Sequence, residues 1–427
     1  MKNFLLIMVA LLFISGAAFS QNINGRFSSS VYAFERFDTV QSSQNHLRAY
    51  EMLNLNINQD KFSIKTYMNL ESDLSQKMES DPRLRFYNLY LEGRNLFDFF
   101  TFKLGRQPIF NSIGGGLMDG INADFKYNDF KLNAFYGSNV PAYQKLKVND
   151  DWENDYLWGA KLSTNYFDNL QVDVSYIKKN YKAQEFNAVR LDEELNPIQT
   201  LIRNKSNTYE FVSGEISYDM KKIFSVNTRY DYDLNFEKTS KVEFNGRYEQ
   251  IDNLGINFYY NYREPRINYN SIFSVFDFGS NREYELGADY AINKVFTVIG
   301  KFGLVNYGGD NSQRLTVGAN TNLGSLTYRK NFGYAGELDA VSLYTAHTFL
   351  EGLLTPSLGL SYTKYKLSKY DEESNDLVSA LLGLNYRPIR SLSFDLQGQY
   401  LNNKIYKDDY RVFLKLNYWF NTNLNLL

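Results

Sequence analysis

Between residue 22 and residue 420 the chain changes face at almost every step. Phe224-Ser225-Val226-Asn227-Thr228-Arg229-Tyr230-Asp231-Tyr232-Asp233 puts aromatic and β-branched residues on one parity and polar residues on the other. The pattern returns in 241–249, where Val242, Phe244 and Tyr248 alternate with Lys241, Glu243, Asn245, Arg247 and Glu249. It returns again in 283–290 and 314–323. Successive side chains of a strand point to opposite faces, so each segment reads as a strand with one apolar and one wet face. No break in composition separates one part of the chain from another, and the pattern predicts a single all-β body.

Ten short turn signals punctuate the strands: Gln59-Asp60, Arg94-Asn95, Asn128-Asp129, Asp168-Asn169, Lys221-Lys222, Asp252-Asn253, Asn293-Lys294, Gly324-Ser325, Glu351-Gly352 and Pro388-Ile389. Between them lie longer polar links, among them 71–82, 138–154, 180–205, 263–281 and 367–376. Short turns alternating with long links is the rhythm of a membrane barrel, and a soluble sandwich or propeller has no need of it. Rings gather at strand ends, Tyr127 with Phe130, Tyr218 with Phe224, Tyr290 with Phe296 and Tyr418 with Phe420, as in two aromatic girdles. The expected fold is therefore a transmembrane antiparallel up-and-down β-barrel occupying residues 21–427. Ten turns count to 22 strands, but barrels of that width normally hold a plug. The strands begin near Arg26 and leave no N-terminal domain to supply one. The expectation is an even strand number between 16 and 22.

The N-terminus points to export. Lys2 precedes an apolar run from Phe4 to Phe13, and Ala18-Phe19-Ser20 supplies a small-x-small cleavage signature, so residues 1–20 read as a signal peptide. The expected location is the outer membrane of a Gram-negative-type cell. Mean hydropathy of −0.43 excludes a bundle of membrane helices. With 46 basic against 48 acidic side chains there is no basic excess for nucleic acid. The absence of cysteine removes disulfides and thiolate chemistry. The partners expected are outer-membrane lipid and small hydrophilic solutes, with association of identical barrels left open.

Catalysis is poorly provisioned. His46 and His347 are the two histidines, and an outer-membrane hydrolase would need one of them beside a serine or aspartate. Asp38, Ser42 and Ser43 are the neighbours that His46 has in sequence. The Gly114-Gly115-Gly116 run lacks the Lys-Ser/Thr that a phosphate-binding loop requires. Asp371-Glu372-Glu373 reads as a solvated loop. Neither cofactor nor metal is expected, and the chain reads as a non-enzyme.

The wet parity says more. It carries basic and acidic residues in nearly equal number, and a dry interior could not hold them, so the lumen is expected to hold water and to pass solutes. Lys301, Arg314 and Arg329 fall on three consecutive strands, next to a strand bearing Glu283, Glu285 and Asp289. Such an arrangement either sets a transverse field at a constriction or forms cross-strand pairs that steady the wall. Rings also occur on the wet parity (Tyr67, Phe86, Tyr90, Phe135, Tyr259), where they suit saccharides. The segment 263–281 holds Ile272, Phe273, Phe276 and Phe278 and is expected to fold into the lumen as a constriction loop.

Lys103-Leu104-Gly105-Arg106-Gln107, a Gly-rich link, and Asp119-Gly120-Ile121-Asn122-Ala123-Asp124-Phe125 together resemble the Gly-Arg-Gln … Asp-Gly hairpin of the alginate-export-like porin family. The resemblance spans residues 103–125. It implies a barrel of 18 strands, a basic lumen passing an acidic polysaccharide, and Arg106 as a lumen or rim residue; the mixed sign of this lumen departs from that pattern. The function expected is a porin for passive diffusion of small hydrophilic solutes, saccharides among them. The alternatives are an outer-membrane hydrolase using a rim histidine, and a sealed structural or secretion-associated barrel.

Overall fold

The computed structural model describes residues 21–39, 42–76, 78, 81–140, 146–149, 151–182, 184–191, 196–204, 209–265, 279–333, 337–366, 368, 370–404 and 407–424. The proposed signal peptide, residues 1–20, lies outside them, as do Ile272, Phe273, Phe276 and Phe278 of the expected constriction loop.

The first strands are β1 (Gln21–Thr39), β2 (Ser42–Gln59), β3 (Phe62–Asp73), β4 (Arg83–Leu96), β5 (Phe100–Phe110), β6 (Gly115–Tyr127), β7 (Phe130–Val140), β8 (Tyr156–Phe167) and β9 (Leu170–Lys179). A separate hairpin follows, β10 (Gln184–Leu191) with β11 (Pro197–Asn204). Next come β12 (Tyr209–Met220), β13 (Phe224–Asp233), β14 (Lys238–Tyr248), β15 (Leu254–Arg263), β16 (Asn281–Ala291), β17 (Phe296–Tyr307) and β18 (Asp310–Thr321). The last are β19 (Gly324–Phe332), β20 (Glu337–Ala346), β21 (Leu354–Tyr365), β22 (Asn375–Ile389), β23 (Leu392–Asn402) and β24 (Asp409–Leu424).

Apart from β10 and β11, the strands form one antiparallel sheet of 22. Each pairs with its neighbours in the chain, β9 passes directly to β12, and β24 pairs with β1, with Gln21 opposite Leu424 and Ala33 opposite Val412. The sheet is thereby a closed barrel. The upper end of the expected strand range holds, and the 18 strands implied by the resemblance do not. All ten short turns fall at one end of the barrel. Asn95, Asn128, Asn169 and Asn253 sit in them with φ between 48° and 63°, the left-handed region that asparagine tolerates better than most residues. The long polar link 180–205 carries the β10–β11 hairpin.

Register assigns each residue a face, because residues directly opposite in an antiparallel pair share one. One face carries Val174, Leu286, Phe302, Leu382, Leu396 and Leu414, all exposed. The other carries small and polar side chains that are deeply buried, Ser28, Ser213 and Asp231 among them. This inverts a soluble core and places the apolar face on the outside, toward lipid. Rings bound the apolar belt at the short-turn end, with Phe97 80 % and Tyr127 75 % exposed. At the long-link end, tyrosine hydroxyls on the outer face donate to carboxylates: Tyr176 to Glu210 at 2.6 Å, Tyr328 to Asp339 at 3.0 Å, Tyr362 to Asp376 at 2.8 Å and Tyr400 to Asp408 at 2.8 Å. Rings in the belt with polar tips above it are what an interface demands.

Candidate functional site: the inner wall

The charges of the wet parity face inward and are paired across strands. Lys161 on β8 lies 3.0 Å from Asp173 on β9 and 3.8 Å from Glu215 on β12. Glu215 also receives Arg229 of β13 at 3.6 Å, and Arg229 holds Asp231 at 2.8 Å. Lys241 pairs with Glu243 on β14. Arg247 of β14 reaches over β15 to Asp289 on β16 at 2.7 Å, where Asn257 also donates to Asp289. A band of ion pairs and amides thus runs along the inner wall from β8 to β18. Charges half-withdrawn from water are tolerable in this form because each carboxylate keeps a cationic or amide donor.

The predicted strip belongs to this band. Lys301 on β17 contacts Glu285 at 3.1 Å, and Arg314 on β18 contacts Glu285 at 2.8 Å and also Glu283. Arg329 on β19 stands opposite Thr316 and shares a recess of about 220 Å³ with Glu283 and Arg314. Asp289 turns the other way, to Arg247. The geometry is that of cross-strand pairs steadying the wall, rather than a basic strip facing an acidic one. A larger recess, about 600 Å³, opens in the same wall among Ser217, Asn227, Arg247, Tyr259 and Lys301. Farther round, the inner residues Ser342, Ser361, Thr363, Ser379, Gln397 and Gln399 of β20 to β23 are uncharged, while Asp395 of β23 accepts from the amides of Asn385 and Asn417.

Arg106 is not a lumen residue. Its register sets it opposite Leu89 and Asp119, in the same outward row system as Leu104 and Ile121. It grips Asp119 through two bonds of 2.8 Å and donates to the Lys147 carbonyl at 2.9 Å. The link after β7 folds over this pair from outside, with Trp152 edge-on to Tyr136 at 5.7 Å. His46 faces inward, and among the described residues its partner is Asp73 on β3, at 2.8 Å; the side chains of Asp38 and Ser42 lie outside the described residues. Phe34 stacks on its ring at 5.2 Å, and Arg48 adds a contact to Asp73 at 3.3 Å. His347 is exposed at the opposite end, against Phe349. Among the described residues no group of three metal-ligating side chains occurs.

The rings divide. Tyr67 stacks on Tyr87 at 5.1 Å, and Tyr90 lies between the ammonium groups of Lys65 and Lys103. A register shift after Tyr67 sets Phe86 opposite Met68, on the outer face. Phe135 is inward yet sealed from water, in a cluster with Ile109, Ile113, Met118, Leu157, Ile177 and Phe211, each at most 4 % exposed. Met118, Phe135, Leu157, Ile177 and Phe211 are inner-wall residues of five successive strands, β6 to β9 and β12. Left open to a wet lumen, that patch would cost roughly 25 cal/mol per Å². The tip of the β5–β6 hairpin covers it. Tyr209 of β12 donates to the Ile113 carbonyl at 2.8 Å, and Lys179 of β9 to the Gly115 carbonyl at 3.1 Å. Alternation alone could not reveal this sector, since its parity is that of the wet wall; an unbroken row of apolar residues across neighbouring strands at one height was the available signal.

A closed ring of 22 strands, lipid-facing outside and polar within, defines a transmembrane β-barrel. The barrel is similar to a solved structure of the ferric enterobactin receptor PfeA of Pseudomonas aeruginosa, in a mutant form, with a TM-score of 0.55 and 9 % identity over 95 % of this chain and 81 % of that one. OccAB4 of Acinetobacter baumannii also aligns, with a TM-score of 0.44 and 12 % identity over 96 % of this chain and 100 % of that one. OpdL of Pseudomonas aeruginosa aligns with a TM-score of 0.42 and 10 % identity over 94 % and 98 %. At these identities the likeness to PfeA is one of fold. No protein-family model matches the chain, and no curated protein matches it.

Proposed function

We propose that this protein is an outer-membrane channel through which small hydrophilic solutes diffuse passively, after export directed by residues 1–20. The observation that carries this reading is the band of ion pairs and amides along the inner wall from Lys161 to Arg314. Such a wall is stable only against water, and a ring of 22 strands is on the order of 40 Å across from strand spacing and tilt. Charges of both signs, mutually paired, suit neutral polar solutes and give weak ion selectivity. Saccharides are the finer expectation, and it now rests on Tyr67, Tyr90 and Tyr259, since Phe86 and Phe135 are not available to the lumen.

Purified, folded protein in planar bilayers should give discrete conductance steps, and vesicles carrying it should swell in sugar solutions. A folded protein that gives no steps rejects the open-channel reading in favour of a sealed barrel. One observation favours that second reading: barrels of this width usually close around a plug. The hydrolase reading has lost its motive, because His46 is bonded to Asp73 and stacked on Phe34, and among the described residues no hydroxyl meets its other ring nitrogen.

A further inference from the structure

We infer that the tip of the β5–β6 hairpin, residues 109–116, is the constriction of this channel, held in place by Tyr209 and Lys179. The inference rests on the channel reading above and adds the element that sets its size cutoff. Between β6 and β12 lie β7, β8 and β9, so a contact from Ile113 to Tyr209 carries the tip four strand spacings sideways. At about 4.8 Å each that is roughly 19 Å along the inner wall. A hairpin that continued the wall could not make this contact; the tip has to bend inward and lie over its neighbours.

Three features of the sequence serve that position. Ile109 and Ile113 give the tip an apolar underside that matches Phe135, Leu157, Ile177 and Phe211 of the wall. Tyr209 and Lys179, from strands on the far side of the patch, pin two carbonyls of the tip. Gly114, Gly115 and Gly116 lack a phosphate-binding motif, but a methyl group on Gly114 would meet Tyr209 Oη at 2.9 Å, one on Gly115 would collide with the Ile109 carbonyl oxygen, and one on Gly116 would meet Lys179 Nζ at 3.2 Å. The triglycine is what lets the tip lie so close. Phe110, on the opposite parity to the buried Ile109, is 89 % exposed, so it projects from the tip on the side away from the dry patch.

The chain has no cysteine, so Phe110→Cys provides a single reactive site at the tip. In bilayers, the F110C channel should lose most of its current in discrete steps when a bulky charged methanethiosulfonate is added. The double variant Tyr209→Phe, Lys179→Met removes both pins and should conduct more and admit larger sugars in vesicle swelling. Replacing residues 109–116 by an Asn-Gly turn should do so further, with folding checked by heat-modifiable gel migration. A conducting wild type whose labelled F110C, unpinned and shortened forms all keep its conductance and size cutoff would overturn the inference while leaving the channel reading intact. If the wild type is silent and the shortened form conducts, the tip is the sealing element and only the open-channel reading fails. If both are silent, both readings fall.

Discussion

The inner wall carries two chemistries on one parity. From β13 to β18 the inward charges Arg229, Glu243, Arg247, Asp289, Lys301 and Arg314 each hold an ion-pair partner on the same wall and face the lumen. From β6 to β12, toward the long-link end, the same parity gives Met118, Phe135, Leu157, Ile177 and Phe211, all sealed. What differs is the cover: water over one sector, the β5–β6 tip over the other. Parity decides which way a side chain points, and tertiary cover decides whether that place is wet.

A charge placed in the dry sector should have the largest effect. Phe211→Asp would set a carboxylate beneath the tip and directly opposite Asp233, with no cation assigned to it, at a cost on the order of 4 kcal/mol. Thr316→Asp, in the wet sector between Lys301 and Arg329, should shift the urea unfolding midpoint in lipid vesicles far less. Equal shifts would mean that the two sectors are equally hydrated.

Truncation should separate the sectors by a smaller margin. Met118→Ala removes a fully buried side chain and should cost about 3 kcal/mol. Leu382→Ala, on the outer face at 64 % exposure, should cost less than about 1 kcal/mol in the same titration. In the wet sector the sensitive quantity is current. Replacing Lys301, Arg314 and Arg329 together by glutamate leaves Glu283 and Glu285 without their cations, and should raise the cation-to-anion permeability ratio about fivefold, or ~1 kcal/mol. Reversal potentials in a salt gradient measure this, and an unchanged ratio would take the strip off the conducting path. The smallest effect belongs to a third environment, the open link after β7. Asp151 is half-buried, and Lys182, an exposed side chain 2.6 Å away, holds its carboxyl below the usual carboxylate range. Solvent screens such a pair, so Asp151→Asn should leave the unfolding midpoint where it is.

Much of this architecture was legible because its signals are local. Asn95, Asn128, Asn169 and Asn253 mark turns by their own backbone preference, and counting ten turns leads straight to 22 strands; the expectation of a plug is what widened the range. The wet parity of Lys301, Arg314, Glu283 and Glu285 was readable for the same reason. Their pairing was not, because distance across strands depends on register. Single-residue irregularities defeat parity: one shift after Tyr67 moved Phe86 to the lipid face. Arg106 sits in a strand whose hairpin partner and covering link were both needed to fix its face. His46 found Asp73 from 27 residues away, and the dry sector is assembled from five strands spread over a hundred residues. None of that is visible in a window of ten.

The seam between β1 and β24 has a consequence for how such a chain can be made. Every other pairing in the ring joins strands that follow one another or, for β9 and β12, are separated only by the β10–β11 hairpin, so hairpins can form as they become available. The seam alone has to bring Gln21 to Leu424, and until β24 is in place both flanking strands are open edges, templates for pairing with any other chain. A product truncated before Asp409 would therefore present β1 and β23 as two unpaired edges, and would be expected to aggregate rather than to insert as a narrower barrel. The final sixteen-residue strand thus acts as a completion check on assembly, which makes the C-terminal segment the part of the chain least tolerant of loss.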